Sequence, residues 1–209
     1  MIVSHWYVEM EGLDEIEAAL GMTKDKSKMV LRTAINNTAK QAEKLMTKET
    51  KSRYKYKSGK VADIRKANEI KKAKASNMVA TITAKGPANE LLDFVVKPNT
   101  YFPGGRGAPK WVKAKGRRNS KLSNVAKFPS ATGDKYKGFI VKFKSGHLAM
   151  VERVPGKPMK GKPHKEALES LYSIATPKME EVAYKAEVEP DMYDLLMKNI
   201  QTQIQRYLK

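Results

Sequence analysis

The sequence predicts an α+β protein in which a long N-terminal helix packs on an antiparallel sheet, with C-terminal helices and an extended basic loop region. Residues 24–54 contain no Gly or Pro and repeat apolar side chains at helical spacing, which predicts the helix. Residues 69–84 and 138–154 read as pairs of short strands joined by turn residues, which predicts antiparallel hairpins. Strands in the middle of the chain and helices toward its ends indicate segregated layers.

Local patterns predict the N-terminal elements. Residues 2–10 mix β-branched and aromatic side chains, as strands do. Residues 13–20 have a short amphipathic pattern that Gly21 would end, so a helix is expected there. The long helix places one stripe against the core, and this stripe consists of Leu31, Ile35, Thr38, Ala42, Leu45 and Glu49. Its cationic side chains are spread round the remaining surface, which is therefore expected to face solvent.

The next segment is expected to form the first hairpin. Residues 61–64 resemble a single helical turn or a docking loop. Strands are predicted at residues 69–75 and 78–84, with a tight turn at Ser76-Asn77 between them. Residues 90–96 are apolar but too short to assign from periodicity alone.

The basic loop region and a second hairpin follow. Residues 98–109 hold three prolines and three glycines, so they are expected to form a loop. Residues 111–115 alternate like a strand, and residues 116–123 are basic and polar like a loop tip. The clearest hairpin pairs residues 138–143 with residues 148–154.

The C-terminal part is predicted to be helical. Residues 155–163, rich in Lys, Gly and Pro, are interpreted as a connector. Helices are expected at residues 164–175, 178–186 and 191–208, and Pro190-Asp191 supplies a start signal for the last.

The predicted domain organisation follows from these elements. An α+β body spans residues 1–156, with a basic loop insertion at about residues 97–127. A C-terminal helical arm spans residues 157–209 and is expected to form one structural domain with the body. A chain of 209 residues suits one such domain, which typically needs roughly 100–200 residues.

The charge of the chain is the strongest indication of function. It carries 41 Lys and Arg residues against 22 Asp and Glu residues, a formal net charge of +19. Between Asp93 and Asp134, forty consecutive residues contain nine cations and no acidic side chain. Like charges at this density repel one another unless they are solvated, screened or met by an anionic partner. We therefore expect a binding or assembly protein and no enzyme.

The composition also excludes several kinds of reactive and metal-binding site. Without cysteine, the chain forms no disulfide, thiolate nucleophile or cysteine-ligated metal site. His5, His147 and His164 lack the spacing of a metal site or a catalytic triad, and the carboxylates form no close pair. The glycines of residues 104–107 lack the Lys-Ser/Thr of a phosphate-binding loop. No catalytic residue, cofactor or metal is predicted, and no run approaches the roughly 20 apolar residues of a membrane span.

The basic tract supplies the predicted contact residues for a partner or nucleic acid. They are Arg106, Lys110, Lys113, Lys115, Arg117, Arg118 and Lys121. Trp111, which lies among these cations, either stacks on a base or anchors a strand in the core, and the second reading is favoured. The last three cations are expected at a loop tip, where they can meet a phosphate or a carboxylate-lined groove. No RNA-recognition, zinc-finger or helix-turn-helix signature accompanies them.

Four stretches taken together resemble the minor tail protein Z family of tailed bacteriophages and prophages. The first, residues 30–39, is similar to the family's helix of small and apolar residues ending in Asn-Thr-Ala. The second leads from residues 62–66 to residues 73–76, and the third is a hairpin from a Gly-Phe strand at residues 138–141 to Arg153. The closing helices are the fourth, so the resemblance spans most of the chain.

The resemblance implies a virion structural protein, a minor tail or tail-completion component at the head-proximal end of a phage tail that helps to join tail to head. The implied partners are tail terminator or tail-tube proteins, a head-tail connector and the genomic DNA, with the chain in a homo-oligomeric ring taken as a hexamer. Such a protein is made in the host cytoplasm and binds no membrane. The alternative is a general nucleic-acid-binding protein that uses its basic loops for phosphate contact, with affinity that falls steeply as salt rises.

Overall fold

The predicted α+β class is confirmed by a computed structural model, which describes residues 1–9, 18, 21, 24–57, 64, 68–103, 113–124 and 138–207. The chain forms two compact units. The first unit comprises Met1–Thr50, Ala62–Pro87 and Ala175–Lys209, and the second unit comprises Lys51–Val61 and Ala88–Ile174. The predicted boundary at residue 156 does not coincide with this division. The helix predicted at residues 13–20 and the turn predicted at residues 61–64 lie mostly outside the described residues.

The first unit contains a three-stranded antiparallel sheet in the order β1-β3-β2. Its strands are β1 (Ile2–Val8), β2 (Asn68–Lys71) and β3 (Ala80–Gly86). The predicted strand at residues 69–75 is too long, because the chain already turns between Lys74 and Asn77. Their backbone groups exchange hydrogen bonds of 2.8 and 3.0 Å, which closes the turn one residue before the predicted position.

The long helix α1 (Lys24–Arg53) packs on this sheet, as predicted. Leu31 and Ile35 are fully buried in one apolar cluster with Trp6 of β1 and Ile82 of β3. The predicted stripe is wrong at its C-terminal end. Met46 is fully buried there, whereas Leu45 is only partly buried, because the buried face follows the 3.6-residue helical period.

Two helices complete the first unit, in agreement with the predictions for residues 178–186 and 191–208. Helix α2 (Thr176–Ala183) continues into a π-helical turn (Tyr184–Val188), and α3 (Met192–Tyr207) follows. Helix α3 packs on α1: Leu196 and Ile200 join the same apolar cluster, and Asn199 Nδ2 donates a hydrogen bond of 2.9 Å to Thr38 Oγ1. The terminal helix therefore belongs to the core of the first unit.

The second unit contains a small antiparallel sheet in the order β4-β5-β6. Its strands are β4 (Val95–Lys97), β5 (Lys113–Lys115) and β6 (Ser123–Asn124), and a 3-10 turn (Leu91–Asp93) precedes them. The strand predicted at residues 111–115 is present as β5, and β6 is an additional strand within the predicted loop insertion. Leu91, Val96 and Ala114 are buried in the core of this unit.

A second sheet of this unit has the order β7-β8-β9, with β7 (Phe139–Lys142), β8 (Leu148–Met159) and β9 (Lys162–Ser170). The predicted hairpin between β7 and β8 is confirmed, and the Phe143 N–H donates to the His147 carbonyl across its turn at 2.8 Å. The connector predicted at residues 155–163 and the helix predicted at residues 164–175 are both wrong. Strand β8 runs on to Met159, turns at Lys160-Gly161 and pairs with β9.

Candidate cationic binding surfaces

The positive charge is divided unequally between the two units. The second unit holds 23 of the 41 Lys and Arg residues but only 6 of the 22 Asp and Glu residues, a net charge of +17 (23 − 6). The first unit holds the other 18 cations and 16 acids, a net charge of +2 (18 − 16). Nearly all of the surplus therefore belongs to one folded unit, and an anionic partner will be attracted chiefly to that unit.

The first candidate surface, here called the turn surface, comprises residues 113–121, which are β5 and the turn that follows it. Residues 117–120 form a turn in which the Ser120 N–H and Oγ donate to the Arg117 carbonyl at 3.3 and 2.8 Å. This turn occupies the predicted loop tip. It presents the exposed side chains of Lys113, Arg117, Arg118 and Lys121, while Lys115 is half-buried. Arg106 and Lys110, also predicted as contacts, lie outside the described residues.

The Arg118 side chain already forms hydrogen bonds within the fold. Its Nε donates to the Ser52 carbonyl at 2.9 Å and its Nη2 to the Lys51 carbonyl at 3.0 Å. Its backbone N–H donates to the Arg53 carbonyl at 2.8 Å. These are carbonyls of the last turn of α1, which have no partner within the helix. Arg118 therefore caps α1, and its positive charge is favourable beside the negative end of the helix dipole.

The remaining cations of the turn surface differ in their availability. Lys115 Nζ donates to the Arg118 carbonyl at 2.9 Å, so this ammonium group holds the turn in shape. Within the described part of the chain, Lys113, Arg117 and Lys121 form no ion pair. Of the predicted contact residues that the structure describes, these three are the ones whose charged groups remain open to a partner.

The second candidate surface was missed in the sequence and is here called the arm. The name refers to a β-hairpin and replaces its earlier use for the predicted C-terminal helices. It consists of residues 153–165, the outer part of the β8–β9 hairpin and its turn. Its exposed cations are Arg153, Lys157, Lys160, Lys162 and Lys165, accompanied by exposed His164. No Asp or Glu lies between Glu152 and Glu166. The sequence could have revealed this surface through its run of thirteen residues with five cations and no acid.

The arm shows features that oppose pairing with a further strand. Strand β9 is at the edge of its sheet and carries Lys162, Pro163 and Lys165. Lysine and proline on an edge strand discourage strand addition, because they bring charge and remove a backbone donor. The arm is therefore better suited to meet a partner with its side chains than with its backbone.

Comparisons with protein-family models, curated proteins and solved structures found no match to this chain.

An open groove of about 500 Å³ in the second unit is lined by apolar Phe94, Val96 and Pro98, with Lys57 and Lys97 beside them. In the part of the chain that the structure describes, no group of three or more His, Cys, Asp or Glu residues could hold a metal ion. Nor is any described helix long and apolar enough to cross a membrane.

One buried acidic group stands out in the first unit. The Glu180 side chain is fully buried, and Asn68 Nδ2 donates to its Oε1 at 2.9 Å. Within the described residues, Glu180 Oε2 and Asn68 Oδ1 are buried and accept no hydrogen bond. The pKa of Glu180 is raised to about 7, chiefly by burial and to a smaller extent by nearby Glu43, against the lowering effect of the Asn68 hydrogen bond. No sequence pattern pointed to this group.

Proposed function

We propose that this protein is a non-enzymatic structural component of a phage particle, a minor tail or tail-completion protein at the head-proximal end of the tail, which docks onto an anionic partner through its second unit. The observation that carries the proposal is the charge of +17 on the second unit against +2 on the first. A folded unit with so large a surplus repels itself, and a polyanionic partner relieves that repulsion. Binding then stabilises the charged unit as well as positioning it.

The two units differ in charge and in the groups that they expose, which suits them to different roles. The first unit is nearly neutral and has a continuous apolar core shared by β1, β3, α1 and α3. Among the residues that the structure describes, the second unit has exposed cations on the turn surface and on the arm. In a ring, every subunit would repeat these two surfaces, so contacts that are individually weak would add up through avidity. Tail terminator, tail-tube and connector proteins and the genomic DNA are the proposed neighbours.

The experiment that tests this proposal is removal of the protein from a phage or prophage that encodes it. We expect particles produced without it to accumulate as separate heads and tails in negative-stain images, and a plasmid copy to restore joined particles. Mass spectrometry of purified wild-type particles should detect the chain. Its absence from these particles, or normal joining without it, would overturn the assignment.

The second candidate function, a general nucleic-acid-binding protein, is favoured by one specific observation: the arm carries five exposed cations and no acid. A protein of this kind would bind nucleic acid without any place in a particle. The particle measurements above separate the two functions, because only the first requires the chain to be a stoichiometric part of the virion.

A further inference from the structure

We propose that the arm is a two-stranded ribbon that binds duplex DNA. Cations on both β8 and β9 contact DNA phosphates, and the binding does not depend on base sequence. This inference rests on the proposed function in one respect, since it names the polyanion that the second unit meets. It differs in assigning the contact to residues 153–165, which lie outside the tract predicted to carry it.

The first argument is the placement of charge. Arg153 and Lys157 lie on β8, Lys160 lies in the turn, and Lys162 and Lys165 lie on β9, so cations are present along both strands. All five are exposed, and among the described residues none of them forms an ion pair. Arg153 lies over the Phe139 ring at 5.4 Å, which anchors the base of the arm. The four lysines are left for a partner.

The second argument is size. At roughly 3.3 Å per residue, the seven arm residues of β8 reach about 20 Å. The major groove of B-DNA is about 12 Å wide and admits a two-stranded β-ribbon. Because duplex DNA carries one negative charge per about 1.7 Å of its axis, a ribbon of this length passes about twelve phosphates. A duplex segment of this length therefore offers more than enough phosphates for the four lysines.

The third argument separates DNA from an acidic protein. Protein partners of sheet edges commonly add a strand, and the single proline and two lysines of the β9 edge oppose that mode.

The fourth argument concerns specificity. Arg, Asn and Gln carry planar groups whose fixed geometry suits base edges, whereas the Lys ammonium is a point charge on a flexible stem that binds phosphate in many geometries. Apart from Arg153 at its base, the arm has no Arg, and it has no Asn or Gln. Its binding is therefore expected to be independent of sequence, as suits a contact with DNA that passes through a joint.

The test is fluorescence-anisotropy titration of the full chain with a labelled 24-base-pair duplex between 50 and 300 mM NaCl. If all four lysines contact phosphates, the logarithm of the affinity should fall with the logarithm of salt concentration with an arm contribution to the slope of about −3.6. The arm variant replaces Lys157, Lys160 and Lys162 by Gln. Its slope should be shallower by about 2.7, with affinity at 100 mM NaCl reduced by about tenfold or more.

The matched control replaces Lys40, Lys44 and Lys48, three exposed lysines of α1 in the first unit, by Gln. It removes the same net charge, and circular dichroism is used to check that both variants are folded. We expect the control to retain wild-type slope and affinity, and a second duplex of unrelated sequence to bind within about twofold. Equal losses in both variants, or no loss in the arm variant, would overturn the assignment.

Competition with polyglutamate distinguishes the acidic-protein reading. We expect polyglutamate at equal charge concentration to displace the duplex poorly, and displacement as effective as that by unlabelled duplex would overturn the DNA assignment. Failure of the arm prediction with the chain present in particles contradicts only the arm. Normal arm binding by a chain that is absent from particles contradicts only the virion function.

Discussion

Replacing Glu180 by Gln is expected to abolish a large pH dependence in the stability of the first unit. The Glu180 carboxyl is fully buried on α2, where Asn68 donates one hydrogen bond to Oε1. Burial raises its pKa from 4.5 to about 7, the Asn68 hydrogen bond opposes this rise, and Glu43 of α1 adds to it. Gln has nearly the same shape and can still accept from Asn68, but it cannot ionise.

The sign follows from proton binding. Between pH 4.5 and about 7 the folded chain retains the Glu180 proton that the unfolded chain has lost, so stability falls as pH rises. This contribution is complete below pH 4.5 and is lost as pH rises through 7. The gap between the two pKa values corresponds to roughly 3 kcal/mol of unfolding free energy. The Gln variant should therefore match wild type near pH 4.5 and exceed its stability by up to about 3 kcal/mol at pH 9.

The assay is urea denaturation from pH 4.5 to pH 9, followed by far-ultraviolet circular dichroism, since the helices belong mainly to the first unit. The control is Glu181→Gln on the same helix. Lys178 and Lys185 lie 2.9 and 3.5 Å from the Glu181 carboxylate, and hydrogen bonding to Lys178 lowers its pKa. That variant should lose a little stability at neutral pH. A Glu180→Gln variant with an unchanged pH profile would refute the reasoning.

Two further predictions concern single contacts. Arg118→Ala should lower the unfolding free energy by about 1 kcal/mol because the carbonyls at the end of α1 lose their charged donor, while Arg117→Ala, one residue away, should leave the melting temperature unchanged. Equal melting temperatures for the two variants would contradict the capping role. Ile200→Asp should destabilise the first unit by roughly 3 kcal/mol or more and expose α3 to protease, because it buries an unpaired carboxylate. Tyr193→Asp, at a position 70% exposed on the same helix, should retain protease resistance, and resistance of the Ile200 variant would show that α3 packs differently.

Periodicity was sufficient to predict α1, the terminal helices and the hairpin between β7 and β8. Periodicity did not predict the strands of the arm, because Pro155, Gly156 and Pro158 are residues that typically interrupt a strand. In the structure, shifts in register between Arg153 and Met159 accommodate these residues, and Gly156 adopts a φ of 73°. Residues 166–168, Glu-Ala-Leu, favour a helix by propensity, yet pairing with β8 makes them strand. Tertiary pairing overrode both local signals.

The candidate surfaces were only partly accessible from the sequence. The acid-free tract between Asp93 and Asp134 pointed to the turn surface, but sequence spacing could not show that Arg118 contacts carbonyls 66 and 67 residues earlier. The concentration of charge in one unit depends on which distant segments fold together. Glu180 was equally hidden, because two side chains that act on its carboxyl, Asn68 of β2 and Glu43 of α1, are far away in the chain.

The cap formed by Arg118 sets a limit on how the neighbouring cations can be used. A guanidinium that turns outward to hold a ligand must first release the carbonyls of Lys51 and Ser52, and the final turn of α1 would then fray. Recruitment through Arg117 and Lys121 leaves that turn closed. Within one short turn, Arg118 thus stabilises the end of α1, while Arg117 and Lys121 remain available to bind a partner.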